Sequence, residues 1–485
     1  MIEINNVTFQ YKAESSSGGI RNISLSIPQG EVVVLCGESG CGKTTITRLI
    51  NGLIPHFFEG ELSGSVLVNG QNVSVQPLYD TAKLVGSVFQ NPRSQFFNVD
   101  TTSELSFGCE NLGMPREEIL SRLNRTVSAL RLEKLLDRSI FDLSGGEKQK
   151  IACGGVFMME PQVFVLDEPS SNLDSDSIPD LRSTIAYLKS LGKTVVLSEH
   201  RLYYLRGIAD RYIYVKDGSI AAVYTADQFD RISEDERSTM GLRTNDLSSL
   251  RENTTAGRST ASALLNNFHF AYKHAPETLR IDSCEIPYGG IIGIIGHNGA
   301  GKSTFSRCFC GLEKRCGTVT VNGTSHRPKD RLNNCYMVMQ EVGHQLFTES
   351  VLDEVLISMA DENEDIARSI LEKLDLSSLA DRHPASLSGG QKQRLAIASA
   401  IAAKRPVVFL DEPTSGLDYR HMTEVAELLK SLHKDGKTIY VITHDPELIC
   451  ECCTDILHLE DGTITECYPM DAAGVNKIRD FFRIA

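Results

Sequence analysis

The 485-residue sequence has no stretch approaching about 18 consecutive apolar residues, the length needed to span a bilayer as a helix. Its most apolar runs, Val32 to Leu35 and Gly290 to Gly296, have the length of strands. The chain is therefore not expected to cross a membrane by itself. The opening residues Met1-Ile2-Glu3-Ile4-Asn5-Asn6 offer neither a basic n-region nor an apolar h-region, so no secretory signal is expected there. Positive charge is also scarce. With 49 basic against 63 acidic residues and a net charge of −14, the chain lacks the polycationic surface of a general nucleic-acid binder. The thirteen cysteines, including Cys308-x-Cys310 and Cys450-x-Cys452-Cys453, lack the paired C-x-x-C spacing and nearby histidines of a zinc site. They are expected as reduced packing residues in a cytosolic compartment. What is present suits globular cores. The chain is 41% hydrophobic and 23% charged, and its length predicts at least two cores of roughly 200 residues each.

The chain repeats itself. The segment Gly37-Glu38-Ser39-Gly40-Cys41-Gly42-Lys43-Thr44-Thr45 recurs 259 residues later as Gly296-His297-Asn298-Gly299-Ala300-Gly301-Lys302-Ser303-Thr304. Leu143-Ser144-Gly145-Gly146-Glu147 recurs 244 residues on as Leu387-Ser388-Gly389-Gly390-Gln391. Val165-Leu166-Asp167-Glu168-Pro169 and His200 recur at the same offset as Phe409-Leu410-Asp411-Glu412-Pro413 and His444. A constant offset over the later half of each copy means one duplicated backbone. Domains are expected over residues 1–228 and 262–485. The polar, charged stretch 229–261, with Asn253 to Gly257 at its most flexible, reads as a connector. Strands alternating with helices in each half argue for an α/β fold with a largely parallel sheet.

A buried strand leading through G-x-x-x-x-G-K-[ST] into a helix cradles phosphate. The glycines (Gly37, Gly40 and Gly42; Gly296, Gly299 and Gly301) turn backbone N–H groups inward, and the helix N-terminus adds partial positive charge. Lys43 and Lys302 would reach the β- and γ-phosphates, and the hydroxyls of Thr44 and Ser303 are offered to Mg²⁺. The apolar strands Val163 to Asp167 and Val407 to Asp411 each end in two carboxylates, at the sheet edge where α/β folds bind ligands. Asp167 and Asp411 would hold Mg²⁺; Glu168 and Glu412 would polarise an attacking water as general bases. Each Leu-Ser-Gly-Gly segment enters a helix 23 residues before its acidic strand end, a second anion-binding pattern without lysine.

On these motifs the chain resembles two ATP-binding-cassette ATPase domains fused in tandem. The resemblance implies, for each, a parallel RecA-like core, an antiparallel β subdomain and a helical subdomain. It implies ATP and Mg²⁺ as ligands and an intramolecular cassette dimer. In that arrangement Ser144, Gly145 and Gly146 complete the site of Lys302, and Ser388, Gly389 and Gly390 that of Lys43. It implies further that Gln90 and Gln340 sense Mg²⁺ and water and that Asp174 and Asp418 lie in interface-crossing loops. His200 and His444 would contact the γ-phosphate, Tyr11 and Tyr272 would stack on adenine, and Thr45 and Thr304 would bind ATP with the rest of the glycine loop. Departures are mild: Glu147 where glutamine is usual, Lys150 opposite Arg394, and Asn172 opposite Gly416. They put equality of the two sites in question, because a lysine point charge and an arginine fork are not interchangeable.

Two outlets for the ATPase cycle are considered. A soluble twin-cassette ATPase acting on ribosomes or nucleic acid is disfavoured by the acidic balance and by the short, weakly basic connector. The segments Gln90-Asn91-Pro92-Arg93-Ser94-Gln95-Phe96-Phe97 and Gln340-Glu341-Val342-Gly343-His344-Gln345-Leu346-Phe347 resemble the ATPases of energy-coupling-factor importers for vitamins and metal ions. That likeness implies a T-type membrane subunit docking near Gln95 and Gln345, a separate substrate-binding S-type subunit, and a peripheral position on the cytoplasmic face of the cell membrane.

Overall fold

A computed structural model of the chain describes residues 1–12, 18–171, 173–252, 259, 261–273 and 276–482. Asn172 and the stretch Asn253 to Gly257, both singled out in the sequence, lie outside the described residues. The chain divides into two compact units, one built mainly from Met1–Ser249 and the other mainly from Leu250–Leu417 with His421 onward.

In the first unit, Val32–Cys36 is buried along its whole length, as are the first four residues of Val163–Asp167. Continuous apolar runs of this kind suit parallel strands covered on both faces. They sit inside a six-stranded sheet whose order is Ser219–Thr225, Arg211–Lys216, Val32–Cys36, Thr194–Ser198, Val163–Asp167, Val85–Val88. All neighbours are parallel except the hairpin formed by the first two. Alternate side chains leave the central strand on opposite faces. Val33 and Leu35 join a core with Ile46 and Leu49 of the helix Lys43–Ile50, while Val32, Val34 and Cys36 join a second core with Ile185 and Leu188 of the helix Ser177–Ser190. An antiparallel four-stranded sheet (Gly19–Ile27, Ile2–Tyr11, Gly60–Val68, Gln71–Asn72) covers the first core. The helices Thr101–Asn111, Arg116–Leu130 and Gly145–Met158 enclose a small core of their own around Leu105, Leu123 and Ile151.

The second unit repeats the plan. Its six-stranded sheet runs Cys335–Val338, Val407–Asp411, Thr438–Ile442, Ile291–Ile295, Asp455–Glu460, Thr463–Pro469, and its antiparallel sheet runs Glu277–Tyr288, Ala261–Ala271, Thr318–Val321, Thr324–His326. The helices Val351–Leu356, Glu364–Lys373 and Gly389–Ala402 form its helical part. The molecule is thus α/β, two copies of one fold in tandem.

The division between units corrects one sequence expectation. Residues 229–249, read as the first part of a connector, belong to the first unit. Phe229 is fully buried and stacks on Tyr212 at 3.9 Å. Arg237, also buried, lays its guanidinium over the Phe229 ring at 5.5 Å and donates to the Ile232 carbonyl at 2.9 Å. Charge-rich composition concealed a segment that packs through a few anchors. Among the described residues no helix is long and apolar enough to cross a membrane. Cysteines such as Cys36, Cys109 and Cys308 lie in the cores with free thiols.

Candidate functional site

Each glycine loop joins the central strand to a helix, Lys43–Ile50 in the first unit and Lys302–Phe309 in the second. Neither helix has a side-chain cap, so its first-turn N–H groups are left to a ligand. Gly37 (φ 149°) and Gly296 (φ 150°) lie against the Val215 and Leu459 carbonyls, where a Cβ would collide. Gly40 (φ 78°) and Gly299 (φ 84°) are different: no atom lies within 4 Å of where their Cβ would stand. Open space therefore lies at these two glycines, whose left-handed backbone suits a loop that turns its N–H groups toward phosphate. The Lys43 ammonium is tied to the loop, donating to the carbonyls of Gly37 and Glu38, both at 2.9 Å. Lys302 does the same to Gly296 (2.6 Å) and His297 (3.0 Å).

The acidic strand ends meet these loops. Thr44 Oγ1 donates to Asp167 at 3.2 Å, and Ser303 Oγ to Asp411 at 2.9 Å. Burial pushes both aspartates above the usual carboxylate range, against the pull of those hydroxyls. A hydroxyl beside a desolvated carboxylate is an oxygen donor set of the kind that holds Mg²⁺. The next residues, Glu168 and Glu412, adopt left-handed backbone, φ 44° and 51°. Each is fixed by its own N–H, donated to Ser198 O (3.0 Å) or Ile442 O (2.9 Å). Glu168 then meets Gln90 Nε2 at 2.6 Å and His200 Nε2 at 3.4 Å. Burial raises the Glu168 carboxyl, but the hydrogen bond and charge of His200, together with Lys43, outweigh it and hold the group below its ordinary range. Glu412 lies 3.6 Å from His444 Nε2. Gln340 stands exposed at the corresponding strand end.

In the first unit Tyr11, Lys43, Thr44, Thr45, Gln90, Asp167 and Glu168 all line one pocket of about 960 Å³. Tyr11 Oη lies 3.2 Å from Thr45 Oγ1, and Tyr272 Oη 3.3 Å from Thr304 Oγ1. Ser144, Gly145 and Gly146 are outside that pocket. They open the helix Gly145–Met158 with a reciprocal cap, Ser144 N donating to Glu147 Oε2 (2.8 Å) and Glu147 N to Ser144 Oγ (3.3 Å). Ser388 and Gln391 repeat it ahead of Gly389 and Gly390, so glutamate and glutamine serve alike here. Lys150 pairs with Asp180 and Arg394 with Glu424. Asp174 accepts from Ser177 N at 2.9 Å, and Asp418 immediately precedes the helix Tyr419–Lys434.

Gln95 and Gln345, expected near a docking partner, are themselves turned into the fold. Gln95 turns inward, accepting from Phe89 N (3.2 Å) and donating to Ser87 O (3.0 Å). Gln345 accepts from Met339 N (3.2 Å) and donates to Met337 O (3.0 Å). A primary amide satisfies both backbone groups of the frayed strand end, so these residues peg the loop to the sheet. Two residues on, Phe97 and Phe347 are 76% and 72% exposed. Buried carboxylates hold them out: Glu104 Oε2 accepts from Phe97 N (3.0 Å) and Asn98 N (2.8 Å), and Glu354 Oε2 from Phe347 N (3.0 Å) and Thr348 N (3.1 Å). The sequence reading also missed Ser198, whose hydroxyl bonds Asp167, and the buried Glu199, which accepts from Ser170 N, His200 N and Tyr204 Oη. Their signal was a run of polar residues at the end of an apolar strand.

Comparison with known proteins follows this geometry. The ABC transporter family matches residues 20–171 and 279–415. An ABC transporter ATP-binding protein of Treponema denticola is 45% identical, with 96% of each chain covered. Another from Methanosarcina mazei is 31% identical over 96% of this chain and 88% of the relative. Among solved structures, RNase-L inhibitor superposes with a TM-score of 0.65 at 20% identity, over 99% of this chain and 93% of the other. An archaeal ribosome recycling factor, solved with a ribosomal stalk protein, gives 0.63 at 21% identity over 98% and 92%. At that identity both speak for the fold alone.

Proposed function

We propose, from the fact that this chain belongs to the ABC transporter family and is an ATP-hydrolysing enzyme of two cassettes, that it is the motor of an energy-coupling-factor type importer for a vitamin or metal ion. On this reading the chain sits peripherally on the cytoplasmic face of the cell membrane, beside a T-type coupling subunit and an S-type substrate-binding subunit. The observation that carries it is the pair Phe97 and Phe347, large apolar side chains held in solvent at equivalent places in both units. Exposed aromatics braced by buried carboxylates suit docking of an apolar helix.

Within each site the residues have separable tasks. The glycine loop N–H groups and Lys43 or Lys302 bind and neutralise phosphate oxygens. Thr44 with Asp167, and Ser303 with Asp411, would hold Mg²⁺, which supplies further charge neutralisation when bound. Glu168 and Glu412 accept hydrogen bonds from the attacking water, and His200 and His444 orient those carboxylates. Gln90 and Gln340 watch the water, and Tyr11 and Tyr272 receive the adenine. Ser144 to Gly146 and Ser388 to Gly390, with Asp174 and Asp418, are the remaining residues that this reading assigns to nucleotide binding. The test replaces both aromatics, Phe97→Asp with Phe347→Asp. Co-purification with a multi-spanning membrane protein should be lost while ATP hydrolysis by the isolated chain persists. Retained co-purification refutes docking through these aromatics; a parent chain that sediments with ribosomes and brings down no membrane protein refutes the importer reading.

A further inference from the structure

Among the described residues, the first unit carries a cluster of side chains that the second repeats only in part. It uses 22 residues from Lys43 to Gly64 where the second uses 16 from Lys302 to Gly317. The extra length forms the short helix Leu53–His56 and then Phe57 and Phe58. The second unit has no aromatic residue between Phe309 and Tyr336. Phe58 is half-buried and meets Tyr11 edge-on at 6.2 Å. The Arg48 guanidinium rests 3.9 Å from the Phe58 ring centroid and donates to Tyr11 Oη at 3.1 Å. All three line the same pocket as Lys43, Thr45 and Asp167. Arg307, the positional equivalent of Arg48, is exposed, and Tyr272 is 38% exposed.

An arginine laid on a ring is held in one plane, so its fork is ready to donate to acceptors on a base edge. The neighbouring aromatic faces offer stacking that depends on the base and not on the phosphates. We propose that Tyr11, Arg48 and Phe58 form a nucleobase-gripping subsite particular to the first cassette. The two ATP sites are then unequal at their base ends while their phosphate cradles match. The proposal rests on the reading of this pocket as an ATP site.

Calorimetric titration of the full chain tests it in two backgrounds, Lys302→Ala to leave the first site and Lys43→Ala to leave the second. ATP and inorganic tripolyphosphate are the probes. In the first background Phe58→Ala should weaken ATP about tenfold, the size of one base–aromatic contact, and leave tripolyphosphate affinity unchanged. Phe58→Tyr should retain tight ATP binding, and Arg48→Gln should weaken it. In the second background none of these changes should matter. Unaltered ATP affinity in Phe58→Ala, or equal losses for ATP and tripolyphosphate, overturns the subsite. Failure of either probe to bind the Lys302→Ala parent would overturn the pocket assignment and the subsite with it.

Discussion

Ser198 and Ile442 occupy equivalent positions beside the two acidic strand ends, and they differ in what they give. Ile442 supplies only its carbonyl to Glu412 N, whereas Ser198 adds a hydroxyl that bonds Asp167 and accepts from Glu168 N. The backbone job is shared, the side-chain job is not, and both glutamates are left aimed at a histidine. Replacing them together, Glu168→Gln with Glu412→Gln, keeps the shape and removes the base. ATP binding should persist while phosphate release falls by about 10² to 10⁴, the usual size of a general-base contribution; undiminished turnover would refute the assignment. The lysines, hydroxyls and carboxylates were legible because a strand–loop–helix sets their spacing rigidly. Gln95 was not, because a sequence carries no sign of whether an amide turns out to a partner or back to Ser87 O and Phe89 N. Phe97 is the converse case: in Phe96-Phe97 two adjacent rings read alike, though Phe96 packs against the core and Phe97 stays bare.

At the scale of elements, each glutamine loop is fastened at both ends, to the sheet by Gln95 or Gln345 and to the helical part by Glu104 or Glu354. Glu104 sits on the helix Thr101–Asn111 and Glu354 on Val351–Leu356, so a shift of either helix is felt by the aromatic that its carboxylate holds. Glu104→Ala leaves the N–H groups of Phe97 and Asn98 without their acceptor, a local cost of about 1–3 kcal/mol. Hydrogen exchange at residues 97 and 98 should accelerate while ATP binding stays unchanged; protected amides in the variant would show that the clamp is idle. Helix starts such as Ser144 with Glu147 follow directly from the S-x-x-E pattern. The segment from Phe229 to Ser249 does not, because its few anchors are diluted by charge, and one stacked ring with one buried arginine decides its place.

For the whole molecule, that segment sets where the chain can be cut. A fragment of residues 1–250 should melt cooperatively. Ending at 228 strips Phe229, Ile232 and Leu242 from a core that includes Tyr212, and loss of one buried Phe alone costs about 3–5 kcal/mol. Thermal denaturation of the two fragments compares them directly, and equal midpoints would contradict the packing described. Duplication of the fold was readable from the repeated motifs, since they recur at fixed offsets; the extra Phe57 and Phe58 of the first copy appeared only as a length difference. The backbone at Glu168 and Glu412 carries one last consequence. A glutamate at φ 44° or 51° costs of order 1–3 kcal/mol relative to relaxed chain, and hydrogen bonds to the neighbouring strand help keep it there. The working carboxylates therefore rest on left-handed peptides just past their strands, so their aim depends on the strand alongside staying in register.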